Sequence, residues 1–135
     1  MPVPDFSATG DLPSGVHRAT LDEVLRRFGM GGGQRVACTR RLSHIYGLAQ
    51  RTGHLQRLII FGSYVTAKPD PNDVDVVLIM EDAFRLADCP IEAVGLFSHA
   101  SVQARYGASI FWMRPGMLIL ESVEEFIASW QIKRE

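Results

Sequence analysis

The stretch "DVDVVLIM" (73–80) constrains the fold more than any other part of the chain. After Asp75 it is wholly apolar and rich in β-branched residues, so it reads as a strand covered on both faces. It opens with Asp73 and Asp75, one residue apart, which the two-residue period of a strand places on the same face. Two like charges there repel, and a carboxylate beside an apolar interior is costly unless something cationic neutralises it. Turn chemistry after Pro71-Asn72 accounts for Asp73. It does not account for Asp75, one step further into the strand.

The rest of the chain supplies the layers such a strand needs. Thr20 with Glu23 makes a capping box for a helix over "LDEVLRRF", stopped at Gly29. "GMGGGQ" (29–34) reads as a flexible linker. It lacks the Lys-Ser/Thr ending of a phosphate-binding P-loop, and no strand precedes it. Val36, Leu42, Ile45, Leu48 and Ala49 recur at helical spacing over 34–53, with Arg35, Arg40, Arg41 and Arg51 expected on the remaining surface. "RLIIFGS" (57–63) is a short apolar strand ending in a turn. Pro90 with Glu92 opens a helix expected to run to about Tyr106. "SIFWM" and "MLIL" flank "RPG" as a hairpin, with Phe111 and Trp112 expected in the core. Ser122 with Glu125 caps a final helix over "VEEFIASW". The expected order is α-α-β-β-α-β-β-α, an α/β or α+β domain with helices packed on a mixed β-sheet. Residues 1–19, rich in Pro, Gly and Ser, form an extended or mobile lead-in, and 20–135 form a single domain.

Composition excludes several classes. With 135 residues, 47% hydrophobic and 21% charged, the chain is long enough for one domain with a real core. The net charge of −1 advertises neither nucleic acid nor a membrane surface. The charge is uneven, however: residues 1–57 carry eight Arg against four acids, whereas 58–135 carry six basic and eleven acidic residues. That leaves two readings, solvated helix faces or an electropositive half that meets phosphate. No apolar run approaches membrane-spanning length, and the N-terminus has no secretory pattern. Cys38 and Cys89 lack metal-ligand spacing, which suits a reduced, cytoplasmic setting. His17, His44, His54 and His99 show no ligand spacing either.

The chemistry gathers between the two strands. Gly62 allows the backbone a close approach, and the Ser63 hydroxyl and nearby amides can donate to phosphate oxygens. Nine residues separate Ser63 from Asp73. Asp73 and Asp75 then offer the hard oxygen pair that suits Mg²⁺ or Mn²⁺, a cation normally shared between one or two carboxylates and substrate phosphates. Tyr64, beside the turn, is either a base-stacking ring or core.

Hydrophobic-Gly62-Ser63, a loop, then Asp73-Val74-Asp75-Val76 in a strand resembles the signature of the DNA polymerase β-type nucleotidyltransferase superfamily. The chain's size resembles that of the small stand-alone bacterial members, the minimal nucleotidyltransferases often encoded as toxin or antitoxin components. "LPSGVHRATLDEVLRRFG" and "GSYVTAKPDPNDVDVV" look similar to an uncharacterised bacterial branch of that superfamily. The resemblance implies that Gly62 and Ser63 hold a nucleoside triphosphate and that Asp73 and Asp75 are the catalytic, metal-binding carboxylates. Thr66 stands near the place of a family arginine, and Lys68, two residues on, would balance phosphate charge. The family's third carboxylate, the general base, falls at Ser109 here, and a serine cannot do that work near neutral pH. Glu121 replaces it only if the hairpin register shifts.

Two functions therefore stand open. One is Mg²⁺-dependent transfer of a nucleotidyl group from a nucleoside triphosphate to a hydroxyl of a protein, a tRNA end or a small molecule. The other is a binding module of the same fold without chemistry, holding a nucleotide or a toxin–antitoxin-like protein partner. Monomer and dimer are both compatible with the sequence.

Overall fold

The computed structural model describes residues 4–13, 17–71, 73–97, 108–117 and Glu125. The fold is mixed α+β: two helices, α1 (Leu21–Phe28) and α2 (Gly33–Arg51), and a three-stranded sheet of β1 (Leu55–Phe61), β2 (Val74–Met80) and β3 (Ala108–Met113). The sheet order is β1-β2-β3, with β1 antiparallel and β3 parallel to the central β2.

Local chemistry explains the first elements. The capping box at the start of α1 is complete: the Glu23 amide donates to the Thr20 hydroxyl, and the Thr20 amide donates to the Glu23 carboxylate. α2 begins at Gly33, taking in the last residues of the expected linker, and has no side-chain cap. Its stability therefore comes from the face it buries. Cys38, Leu42, Ile45, Leu48 and Ala49 pack against Val74, Val76, Leu78 and Met80 of β2 in one core. Each fully buried Leu, Ile or Val contributes roughly 1.5–3 kcal/mol. On the opposite face of the sheet, Val77, Ile79 and Met113 form a second cluster with Ile59 and Phe61. β2 is thus buried on both sides, as its composition requires.

Four expectations need correction. The stripe on α2 passes through Arg35, which is buried, and leaves Val36 only half-buried. No α-helix opens at Pro90; turns lead to a 3₁₀ segment, Val94–Phe97. There Leu96 and Phe97 are buried, and Phe97 meets Phe84 at 4.9 Å and Trp112 at 5.3 Å between ring centroids. Packing of these three rings, with Phe84 edge-on to Trp112, outweighs helix propensity in that stretch. Phe111 is 41% exposed rather than core, because it projects from the face opposite Trp112. After β3, Pro115–Met117 is a 3₁₀ turn and not a two-residue hairpin loop, so the strand expected over 117–120 does not begin at Met117.

The rest of that strand and Glu121 lie outside the described residues, as does the final helix apart from Glu125, which is helical and exposed. The described part of the lead-in is packed rather than loose. Phe6 stacks against Phe28 at 6.1 Å, Arg27 lies 4.1 Å over the Phe6 ring, and Gly10 accepts a hydrogen bond from the Ala67 amide at 2.9 Å. No helix among the described residues is long and apolar enough to cross a membrane.

Candidate functional site

Sheet register builds the site. Phe61 pairs with Asp75 across the antiparallel ladder, and Asp75 pairs with Ser109 across the parallel one. The end of β1, the start of β2 and the start of β3 therefore meet at one end of the sheet. Gly62-Ser63, Asp73-Asp75 and Ser109 gather there.

Gly62 is required at this junction on two counts. Its φ of 80° and ψ of −163° lie in a region essentially reserved for glycine. A Cβ at this position would also run into the Asp75 carboxylate, well inside van der Waals contact. The space that sequence reasoning set aside for a ligand is bordered by Asp75 itself. From Ser63 the chain makes a 3₁₀ turn, Ser63–Val65, closed by Val65 and Thr66 amides donating to the Gly62 and Ser63 carbonyls.

Asp75 is half-buried, and burial pushes its carboxyl above the usual range. A hydrogen bond from the Ser109 side chain works against the rise, and the charge of Asp73 adds to it. This has a direct consequence for stability. A carboxyl whose pKa is raised on folding favours the fold while protonated, so that stability is full below the ordinary value of 3.8 and lost as pH rises through the folded value. Asp75→Asn should therefore make the metal-free protein more stable at neutral pH and remove that part of the pH dependence. Thermal melts from pH 3 to 8 in EDTA check this, and a variant less stable than wild type at pH 7 contradicts it.

Behind the corner, α2 holds the 62–71 loop through its first two turns. Arg35, 6% exposed, donates to the carbonyls of Phe28 at 3.0 Å, Tyr64 at 2.7 Å, Thr66 at 3.0 Å and, in a short contact, Lys68. The Cys38 thiol lies 3.5 Å from the Pro71 carbonyl, and burial pushes that thiol up. The charges of Arg41, Asp73 and Arg35 all reach Cys38, with an Arg41 hydrogen bond as well. Cys38 thus feels both the Asp73 carboxylate and the α2 guanidiniums. Thr66 donates from its hydroxyl to the Ser63 carbonyl at 2.7 Å and accepts from the Lys68 amide at 3.2 Å.

Of the residues expected to act, the register brings Gly62, Ser63, Asp73 and Asp75 together. Lys68 lies on the loop with an exposed side chain, anchored through its own backbone. Tyr64 is fully buried, its hydroxyl 2.9 Å from that of Thr39, so it is core and not a stacking platform. Sequence reasoning missed Arg35 and the hydrogen bonds of Thr66. The signal for Arg35 was its phase: positions 35, 38, 42, 45 and 49 share one helical face.

Residues 4–135 match a family of unknown function, DUF6932. The chain belongs to that family. No curated protein and no solved structure matches it. The family carries no assigned activity, so the chemistry must be argued from this corner. Among the described residues no group of three or more His, Cys, Asp or Glu side chains is placed to hold a metal ion. Two carboxylates alone do not make a protein cage, but they match the share that Mg²⁺ takes from protein when phosphate oxygens complete its shell. The donor set fits a cation that arrives with its phosphate ligand rather than one held in advance.

Proposed function

We propose that the corner of Gly62, Ser63, Asp73 and Asp75 takes Mg²⁺ or Mn²⁺ together with a nucleoside triphosphate, and that the protein transfers the nucleotidyl group to a hydroxyl of a protein, tRNA or small-molecule acceptor, with pyrophosphate leaving and the hydroxyl proton passing to water. The supporting observation is the Phe61–Asp75–Ser109 ladder, which sets the Gly62 turn directly against Asp75. On this reading the element order is that of a nucleotidyltransferase, and the two cysteines, free among the described residues, suit a cytoplasmic protein. The cation supplies charge neutralisation at the phosphates. Asp73 and Asp75 hold it, Ser63 and Lys68 donate to phosphate oxygens, and Gly62 keeps the turn close.

A second reading is favoured by Ser109. It occupies the register position beside Asp75 and spends its hydroxyl on that carboxylate. A site so arranged binds nucleotide without a base to activate an acceptor, and the protein is then a nucleotide- or partner-binding module.

The test uses purified protein with Mg²⁺ and labelled nucleoside triphosphates, with and without cell RNA or lysate. At a hundred-fold excess of nucleotide over Kd the wild type should gain about 2.7 kcal/mol of stability, and Asp73→Ala/Asp75→Ala should gain none. Label transfer abolished in the double variant supports the transferase. Metal-dependent stabilisation without transfer supports the binder. No response to metal or triphosphate removes nucleotide chemistry from both readings.

A further inference from the structure

We infer that Arg35 is the positioning residue of this corner: one buried guanidinium that fixes the Ser63–Lys68 loop in its ligand-ready shape from below. The loop carbonyls it gathers are those of Tyr64, Thr66 and Lys68, every second residue, and the fourth is that of Phe28 at the end of α1. Beyond Val65 the loop has no helix or ladder to satisfy its inward carbonyls, so the guanidinium takes the place of secondary structure. A planar fork with five donors can span such a set, and a lysine ammonium cannot.

The guanidinium carbon also lies 5.4 Å from the centre of the buried Tyr64 ring, which limits its movement. None of the four acceptors is a carboxylate. The charge of Arg35 is therefore not cancelled within its own hydrogen-bond shell, and it adds positive potential under a loop that runs from Ser63 to Lys68. That field favours an anionic ligand above the loop. The purpose assigned to Arg35 rests on the triphosphate reading given above; its grip on the loop does not.

The full chain is compared with Arg35→Lys and Arg35→Met by two measurements. Hydrogen exchange follows amides 63–68 against those of Val76–Met80 in β2, and calorimetry measures the Kd of Mg²⁺-ATP. Arg35→Lys keeps the charge and is the variant relied on if Arg35→Met does not fold. If the loop is competent in only a tenth of the variant molecules, the Kd rises about tenfold. The expected result is exchange about tenfold faster at 63–68, with β2 protection nearly unchanged, together with that loss of affinity. Loop and β2 amides accelerating in step would make Arg35 an ordinary core residue and overturn the inference. So would a loosened loop that binds Mg²⁺-ATP as tightly as the wild type. If the wild type binds no Mg²⁺-ATP, the proposed function fails, and the exchange comparison alone decides whether Arg35 holds the loop.

Discussion

Gly62→Ala should cost about 3 kcal/mol of folding stability, chiefly from forcing a side chain into this region of φ and ψ, and should abolish any response to metal and nucleotide. The backbone strain and the collision with the Asp75 carboxylate act together. A second glycine shows the cost of a positive φ without a collision. Gly53 also has a positive φ, 73°, but a Cβ there meets nothing within 4 Å. Gly53→Ala should therefore cost only about 1 kcal/mol. Urea denaturation of both variants checks the difference. In an Asp75→Ala background the excess at Gly62 should shrink, because the atoms it collides with are gone. A Gly62→Ala cost unchanged in the Asp75→Ala background would mean that the turn is not packed on the carboxylate, and the corner would lose its structural basis.

Ser109→Asp should make the stability of the corner depend on metal. It places a third carboxylate in register with Asp75 and removes the hydroxyl that hydrogen-bonds to it. Without metal, like-charge crowding and the lost hydrogen bond should destabilise the protein by about 2 kcal/mol at neutral pH. With Mn²⁺ or Mg²⁺ the sign reverses, since three hard oxygens now share one divalent cation. The melting temperature measured in EDTA and in millimolar Mn²⁺ should move in opposite directions relative to wild type. If the wild type binds nucleotide without transfer, this variant is also where transfer should emerge, because a base now stands beside the metal pair. A variant destabilised equally in EDTA and Mn²⁺ would speak against a cation site at Asp73 and Asp75.

Much of this was legible in the residues, and the reasons differ from place to place. The Thr20–Glu23 box is a local motif, and its two hydrogen bonds depend on nothing distant. β2 declared itself through an unbroken apolar run that only a strand buried on both faces tolerates. The position of Ser109 was implied by the family resemblance, and the parallel β2–β3 register sets it beside Asp75.

What failed depended on tertiary contacts. Arg35 reads as a surface residue because charged side chains usually lie there; its helical phase puts it on the buried face, but the loop carbonyls that satisfy it lie some thirty residues away and have no signature in the sequence. Pro90 and Glu92 looked like a helix start, yet Leu96 and Phe97 turn inward to meet Phe84 and Trp112, and short 3₁₀ geometry serves that packing better. Tyr64 stood open between stacking and core, and the Thr39 hydroxyl and the Phe28 ring decide it by drawing the ring inward. Phe111 looked buried by composition alone, which does not tell which face of a strand is covered.

The docking of the leading segment has a practical consequence. Arg27 grips both the Phe6 ring and the Pro4 carbonyl, and Gly10 is tied to Ala67 inside the loop that Arg35 supports. The leading segment therefore forms a strut from α1 to the rim of the carboxylate corner, and probes and tags belong elsewhere on the molecule when that corner is being assayed.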